Sequence, residues 1–208
     1  RAGDFNDTPV LTGLVADEGS MMTQGYGVST PEALRTRITA SFGDLAAQAA
    51  PLYPAADDAT AGSQSKVLAR DRGIAAALQW GAKRLEQSNN PVYFYLFDHT
   101  KPGLESSLYL TFHSSEIPYV LQTLDKSPGR SFTATDFDVS RMASTYWLNF
   151  IRTGNPNGAG LPAWPALTSS QPLMMRLDST PAAEPALPPA KLRLYEKHAA
   201  SGGRLSMF

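Results

Sequence analysis

The stretch that most constrains this chain is a short apolar, β-leaning run, Pro9-Val10-Leu11-Thr12-Gly13-Leu14-Val15, stopped by Asp17-Glu18-Gly19-Ser20. A strand with no polar alternation fits a position buried on both faces, as in a parallel sheet. Open α/β sheets carry their ligands just beyond the C-terminal ends of such strands. The carboxylate pair Asp17-Glu18 therefore occupies a place where chemistry is expected, although a polar turn explains either acid taken alone.

The rest of the chain supplies the helices that a sheet of this kind needs. Thr30 is a good N-cap, Pro31 suits the first helical position, and Leu34, Ile38 and Phe42 recur on one face. An Ala-rich continuation runs to Ala50 and stops at Pro51, and the small, polar residues 55–65 read as a surface connection. The longest helix is expected over 65–87, with Asp71 inside it as a structural or solvated charge able to pair with Arg70 or Arg72. Residues 91–97, Pro-Val-Tyr-Phe-Tyr-Leu-Phe, are a strong strand, with Asp98 and His99 read as the turn that ends it. Asp138–Thr153 is a second helix, capped by Asp138 or Ser140 and closed by Gly154 and Pro156. Residues 159–190 read as a surface wrap with one strand at Leu173–Leu177, and a last helix covers about 190–199. The order β, helix, helix, β, β, helix suggests part of a mixed α/β sheet. Apolar helix faces outnumber the strands available to cover them, so the chain looks incomplete.

A second candidate lies further on. Ser107–Phe112 reads as a strand and feeds into His113-Ser114-Ser115-Glu116-Ile117-Pro118-Tyr119-Val120. Strand patterns usually end in Gly, Asn, Asp or Pro, and this one ends in an imidazole followed by two hydroxyls and an acid. A histidine there either caps the strand end or reaches a substrate.

Composition narrows the chemistry. At 208 residues the chain can hold one large domain or two small ones, and its net charge of −1 leaves no electrostatic footprint for nucleic acid. No apolar run approaches the ~18 residues of a membrane span. Cysteine is absent, which excludes disulfides, thiol nucleophiles and thiolate metal sites. With only His99, His113 and His198 and no HExxH motif, neither a metal nor another cofactor is expected. Arg1-Ala2-Gly3 is not a natural initiation sequence and looks like a processed or cut end.

Glu18 and His113 then fit together as orienting acid and general base. In α/β-hydrolases the triad follows the order Ser, Asp/Glu, His, and these two supply its second and third members. Gly-x-Ser-x-Gly does not occur, nor does a Gly-Gly-Gly run for an oxyanion hole.

A family resemblance covers most of the chain. Pro9–Gly13 running into Asp17–Ser20, His113–Val120 with its preceding Phe112, Tyr146-Trp147-Leu148-Asn149-Phe150, Thr153-Gly154-Asn155-Pro156-Asn157 and Leu161-Pro162-Ala163-Trp164-Pro165 occur in that order, from near residue 3 to about 165. Together they resemble the C-terminal part of a type-B carboxylesterase, the cholinesterase-like branch of the α/β-hydrolases. The resemblance implies an α/β fold, the C-terminal part of an α/β-hydrolase domain, with a mostly parallel central sheet flanked by helices and residues 1–208 forming one segment of a single domain. It implies that Glu18 is the triad acid and His113 the base. Glu116 and Ser114 are then supporting residues, and Met21 and Met22 line the acyl or alcohol pocket as a deformable apolar wall. It further implies hydrolysis of a small-molecule carboxylic ester, with the nucleophile serine and oxyanion loop supplied by an N-terminal fragment of the same esterase as partner. The alternative is a cholinesterase-like adhesion or binding module that keeps the fold without catalysis. A cysteine-free, alanine-rich chain resembles bacterial members more than disulfide-bearing animal ones.

Overall fold

The computed structural model describes residues 6–103, 106–127 and 129–205; the cut-looking start at Arg1–Gly3 lies outside them. Along the chain, β1 (Val10–Val15) is followed by α1 (Pro31–Phe42), the single turn α2 (Ala46–Ala49), the long α3 (Asp58–Leu85) and β2 (Val92–Phe97). Two further single turns, α4 (Ser106–Tyr109) and α5 (Ile117–Val120), precede α6 (Ala134–Thr153), β3 (Leu173–Leu177), β4 (Ala182–Pro185) and α7 (Pro189–Ala200). The strands form one sheet in the order β1-β2-β3-β4. β1 and β2 run parallel from Val10 opposite Val92 to Val15 opposite Phe97; β3 is parallel to β2, and β4 antiparallel to β3.

Two compact units emerge, one comprising the residues up to Glu18 and Leu78–Ala186, the other Gly19–Ala77 and the residues from Leu187 onward. The first holds the sheet. Gly13 sits opposite Tyr95, and a Cβ there would come within 2.4 Å of the Tyr95 ring and carbonyl, so the strand tolerates no side chain at this position. Phe97, Met175 and Leu177 from the strands pack with Tyr119, Val139, Tyr146 and Trp164 in one buried cluster. Trp164 presents its ring edge-on to Tyr146 at 5.1 Å and to Tyr93 and Tyr95 at 6.3 Å. Each fully buried aromatic of this kind contributes roughly 2–3 kcal/mol. The expected surface wrap after residue 158 is thus partly core, because Trp164 and Leu167 are buried and β4 extends the sheet.

α6 starts four residues before the expected Asp138. A capping box forms instead from Thr133 and Asp136, whose carboxylate accepts the Thr133 backbone N–H at 2.8 Å. The helix ends as expected at Gly154, in the left-handed conformation (φ 75°) and donating its N–H to the Phe150 carbonyl. The expected strand over 107–112 does not form. Ser106–Tyr109 make a helical turn, and only Phe112 joins a strand-like bridge, parallel to Asp17.

The second unit is helical. Thr30 caps α1 by accepting from the Ala33 N–H at 3.1 Å, and Leu34, Ile38 and Phe42 are buried as read from their spacing. α3 begins at Asp58 rather than near 65, so most of the stretch expected to be a connection is helix. Asp57 accepts the Thr60 N–H at 2.8 Å as its cap, and Ala61 and Ser65 are buried. Asp71 is a structural charge, but its partners are distant in sequence. Lys191 Nζ on α7 lies 2.7 Å from Asp71 Oδ2, and the Tyr53 hydroxyl, itself 3.0 Å from the Tyr195 hydroxyl, donates to the same oxygen.

Candidate active site

The acid pair after β1 divides its roles. Asp17 is buried and latches the loop opposite: its N–H donates to the Thr111 carbonyl at 2.9 Å, and the Thr111 N–H points at Asp17 Oδ2 at 3.4 Å. That latch, with the Asp17–Phe112 bridge, brings residue 113 alongside the end of β1. Glu18 faces it. Glu18 Oε1 accepts the Val15 N–H at 3.0 Å, which ties the carboxylate back to the strand, and Oε2 lies 2.7 Å from His113 Nδ1. A carboxylate only accepts, so Nδ1 carries the hydrogen and Nε2 the lone pair. The Glu18 side chain is 19% exposed and the imidazole 52%, a buttressed acid behind a reachable base.

The backbone turns sharply after the imidazole. Ser114 has φ +69°, a left-handed conformation costly for a residue with a Cβ, and Ser115 N–H closes the turn on the Phe112 carbonyl at 2.9 Å. Ser115 is fully buried, and neither its hydroxyl nor Glu116 Oε2 has a hydrogen-bond partner among the described residues. Burial pushes the Glu116 carboxyl above the usual carboxylate range, the Glu18 charge adds to this, and a backbone hydrogen bond and the neighbouring His113 and Lys101 oppose it. Lys101 is buried with its ammonium 4.5 Å over the Phe112 ring, and burial together with Arg130 pulls its pKa down. Lys101 carries no local sequence signal, since Lys101-Pro102-Gly103 has the composition of a loop.

His99 is likewise more than a turn residue. Its Nε2 lies 2.9 Å from Asp136 Oδ1, on a carboxylate that also accepts the Tyr119 hydroxyl. Met21 and Met22 are exposed side chains on the turns after Glu18. Among the described residues no cluster of three His, Asp or Glu could hold a metal, and no helix is long and apolar enough to cross a membrane.

Comparison with known proteins matches residues 2–195 to the carboxylesterase family. Human cocaine esterase is 35% identical over 113 residues, spanning 53% of this chain and 20% of that protein. The acetylcholinesterase of Bungarus fasciatus is 30% identical over 208 aligned positions, 89% of this chain and 34% of that one. A solved PNB esterase superposes with a TM-score of 0.63 at 26% identity, covering 90% of this chain and 38% of its own. The chain thus spans between a fifth and two-fifths of these relatives, and its mostly parallel sheet with flanking helices is part of an α/β-hydrolase fold.

Proposed function

Because the chain belongs to the carboxylesterase family, we propose that it supplies the acid and the base of a Ser-His-Glu triad that hydrolyses carboxylic esters. The observation that carries this reading is the 2.7 Å contact between Glu18 Oε2 and His113 Nδ1, made across 95 residues of sequence. Two groups this far apart in sequence, in triad order and with the imidazole reachable, match the geometry that general-base catalysis needs.

In the proposed mechanism a serine hydroxyl attacks the ester carbonyl while His113 Nε2 accepts its proton. Glu18 holds the ring in the tautomer that presents this lone pair and stabilises the imidazolium that forms. His113 then passes the proton to the departing alcohol, and in the second half-reaction takes one from the water that cleaves the acyl-enzyme. The serine and the oxyanion donors belong to polypeptide outside these 208 residues, an N-terminal fragment of the same esterase, since no Gly-x-Ser-x-Gly occurs here. Glu116 and Ser114 support the base from the same loop. Met21 and Met22 are assigned to the substrate pocket, consistent with their exposure just downstream of the acid.

The test is labelling of the assembled esterase with a fluorophosphonate, alongside hydrolysis of p-nitrophenyl esters. Both are expected in the native protein, and His113→Ala is expected to slow both by ~10⁴-fold. Undiminished labelling and turnover in His113→Ala overturns the triad. A native assembly that neither labels nor turns over favours the non-catalytic module.

A further inference from the structure

Beyond the Glu18–His113 pair, we propose that the buried cluster of His99, Asp136 and Tyr119 is a positioning device for His113, an inference that rests on the triad reading above. Every oxygen of the Asp136 carboxylate is engaged. Oδ1 lies 2.9 Å from His99 Nε2 and accepts the Tyr119 hydroxyl at 2.8 Å. Oδ2 accepts the Thr133 N–H at 2.8 Å and the Thr133 hydroxyl at 2.7 Å. The Asp136 side chain is 5% exposed and that of His99 16%, and the His99 ring meets Tyr119 edge-on at 5.3 Å. Three separate pieces of backbone are thereby tied to one anion: the end of β2, the start of α6, and α5.

The last of these leads to the base. Tyr119 is gripped at both ends, its hydroxyl by Asp136 and its carbonyl by the Ser140 hydroxyl at 2.7 Å. From Tyr119 a run of backbone hydrogen bonds returns to the histidine. The Tyr119 and Val120 N–H groups bond the Glu116 carbonyl at 3.0 Å, Ile117 N–H bonds the Ser114 carbonyl, and Ser115 N–H bonds that of Phe112. Within this run sits Ser114 at φ +69°. A left-handed non-glycine residue persists only where its surroundings leave it no alternative. On one side the surroundings are the Asp17 latch, and on the other the clamp on Tyr119. Loosening the clamp lets Ser114 relax, and the imidazole moves with it, by a displacement that matters because reacting atoms tolerate little error.

The experiment uses the assembled esterase, with kcat expressed per active site titrated by the burst of p-nitrophenol. Tyr119→Phe removes one hydroxyl and no carbon. It is expected to lower kcat about tenfold while KM stays within about twofold, since only transition-state geometry is affected. His99→Ala should fall with it, whereas His99→Gln, which keeps an N–H donor for Asp136, should stay within about threefold of the native enzyme. If Tyr119→Phe does not fold, Ser140→Ala opens the other grip and carries the same expectation. A native kcat per titrated site in Tyr119→Phe or Ser140→Ala, with only the melting point lowered, makes the cluster purely structural and overturns the inference. Loss of activity in His113→Ala with Tyr119→Phe unaffected rejects this inference alone. Activity surviving His113→Ala rejects the triad and the inference together.

Discussion

Two histidine–carboxylate pairs stand within the first unit, and their difference bears on why one is proposed to react and the other to hold. His113 meets Glu18 at 2.7 Å, and His99 meets Asp136 at 2.9 Å, so distance alone does not distinguish them. Surroundings do. The imidazole of His113 is half-exposed, and its acid also accepts the Val15 backbone N–H. Asp136 is saturated by four donors and its histidine is packed against Tyr119 and Phe97. A saturated buried carboxylate fixes geometry, because each donor would be stranded without it. A carboxylate behind an accessible ring is placed where it can stabilise the imidazolium as a proton moves.

The largest effects should fall on the exposed pair and appear in rate. Glu18→Gln keeps the size of the side chain but can turn its amide nitrogen toward Nδ1, favouring the wrong tautomer. It is expected to lower kcat of the assembled esterase by ~10²–10⁴-fold with unfolding free energy changed by less than about 1 kcal/mol. Stopped ester hydrolysis with intact urea unfolding would confirm that this pair is there for chemistry. Native turnover in Glu18→Gln would erase the contrast.

The buried pair should respond the other way, chiefly in stability. Asp136→Asn replaces one accepting oxygen by a donor among His99, Tyr119 and Thr133, and is expected to cost about 2–3 kcal/mol in urea unfolding at pH 7. Burial alone would raise the Asp136 pKa, but the hydrogen bonds from Thr133, His99 and Tyr119 outweigh it and hold the carboxyl below its usual value. A depressed carboxylate adds stability that is present above the unfolded value of about 3.9 and is lost as pH falls through the folded one. The part of the difference between native and Asp136→Asn proteins that comes from the depressed carboxyl should therefore shrink as pH falls below about 3.9. A gap that stays unchanged through strong acid would contradict the depressed pKa.

How much of this was legible in the sequence depends on where the deciding information sits. β1, β2 and β3 and the helices at Thr30 and Gly154 were readable because apolar spacing and caps are local signals. The roles proposed for Glu18 and His113 rest in the sequence on their place in an ordered motif set, since neither residue alone outweighs the simpler structural reading. Ser107–Phe112 misled: Tyr109, Thr111 and Phe112 have strand propensity, yet tertiary placement curls Ser106–Tyr109 into a turn. The early start of α3 was signalled by Asp57-x-x-Thr60, and that of α6 by Thr133-x-x-Asp136, both cap spacings lying ahead of the apolar stripe of their helix. His99 meeting Asp136, and Asp71 meeting Lys191, join residues 37 and 120 positions apart, and no local pattern announces such a pair.

The smallest effect tests whether the two pairs are coupled through Ser114. Ser114→Gly removes the Cβ that makes φ +69° costly. Against this, glycine widens the conformational freedom of the unfolded chain, a loss of roughly 0.5–1 kcal/mol. The opposing contributions are similar in size, so the net stability change should lie within about 1 kcal/mol of zero. Ser114→Val, with a β-branched side chain in the same conformation, should be clearly destabilising and marks the strained backbone as real. The informative variant is the double one. If the clamp on Tyr119 exists to hold Ser114 in its turn, then with glycine at that position the clamp has less strain to restrain. Tyr119→Phe should then lower kcat less in the Ser114→Gly background than in the native one, a coupling of about 0.5–1 kcal/mol in a double-mutant cycle. Strict additivity would mean that the buried pair and the exposed pair act independently, each stabilising its own end of the loop.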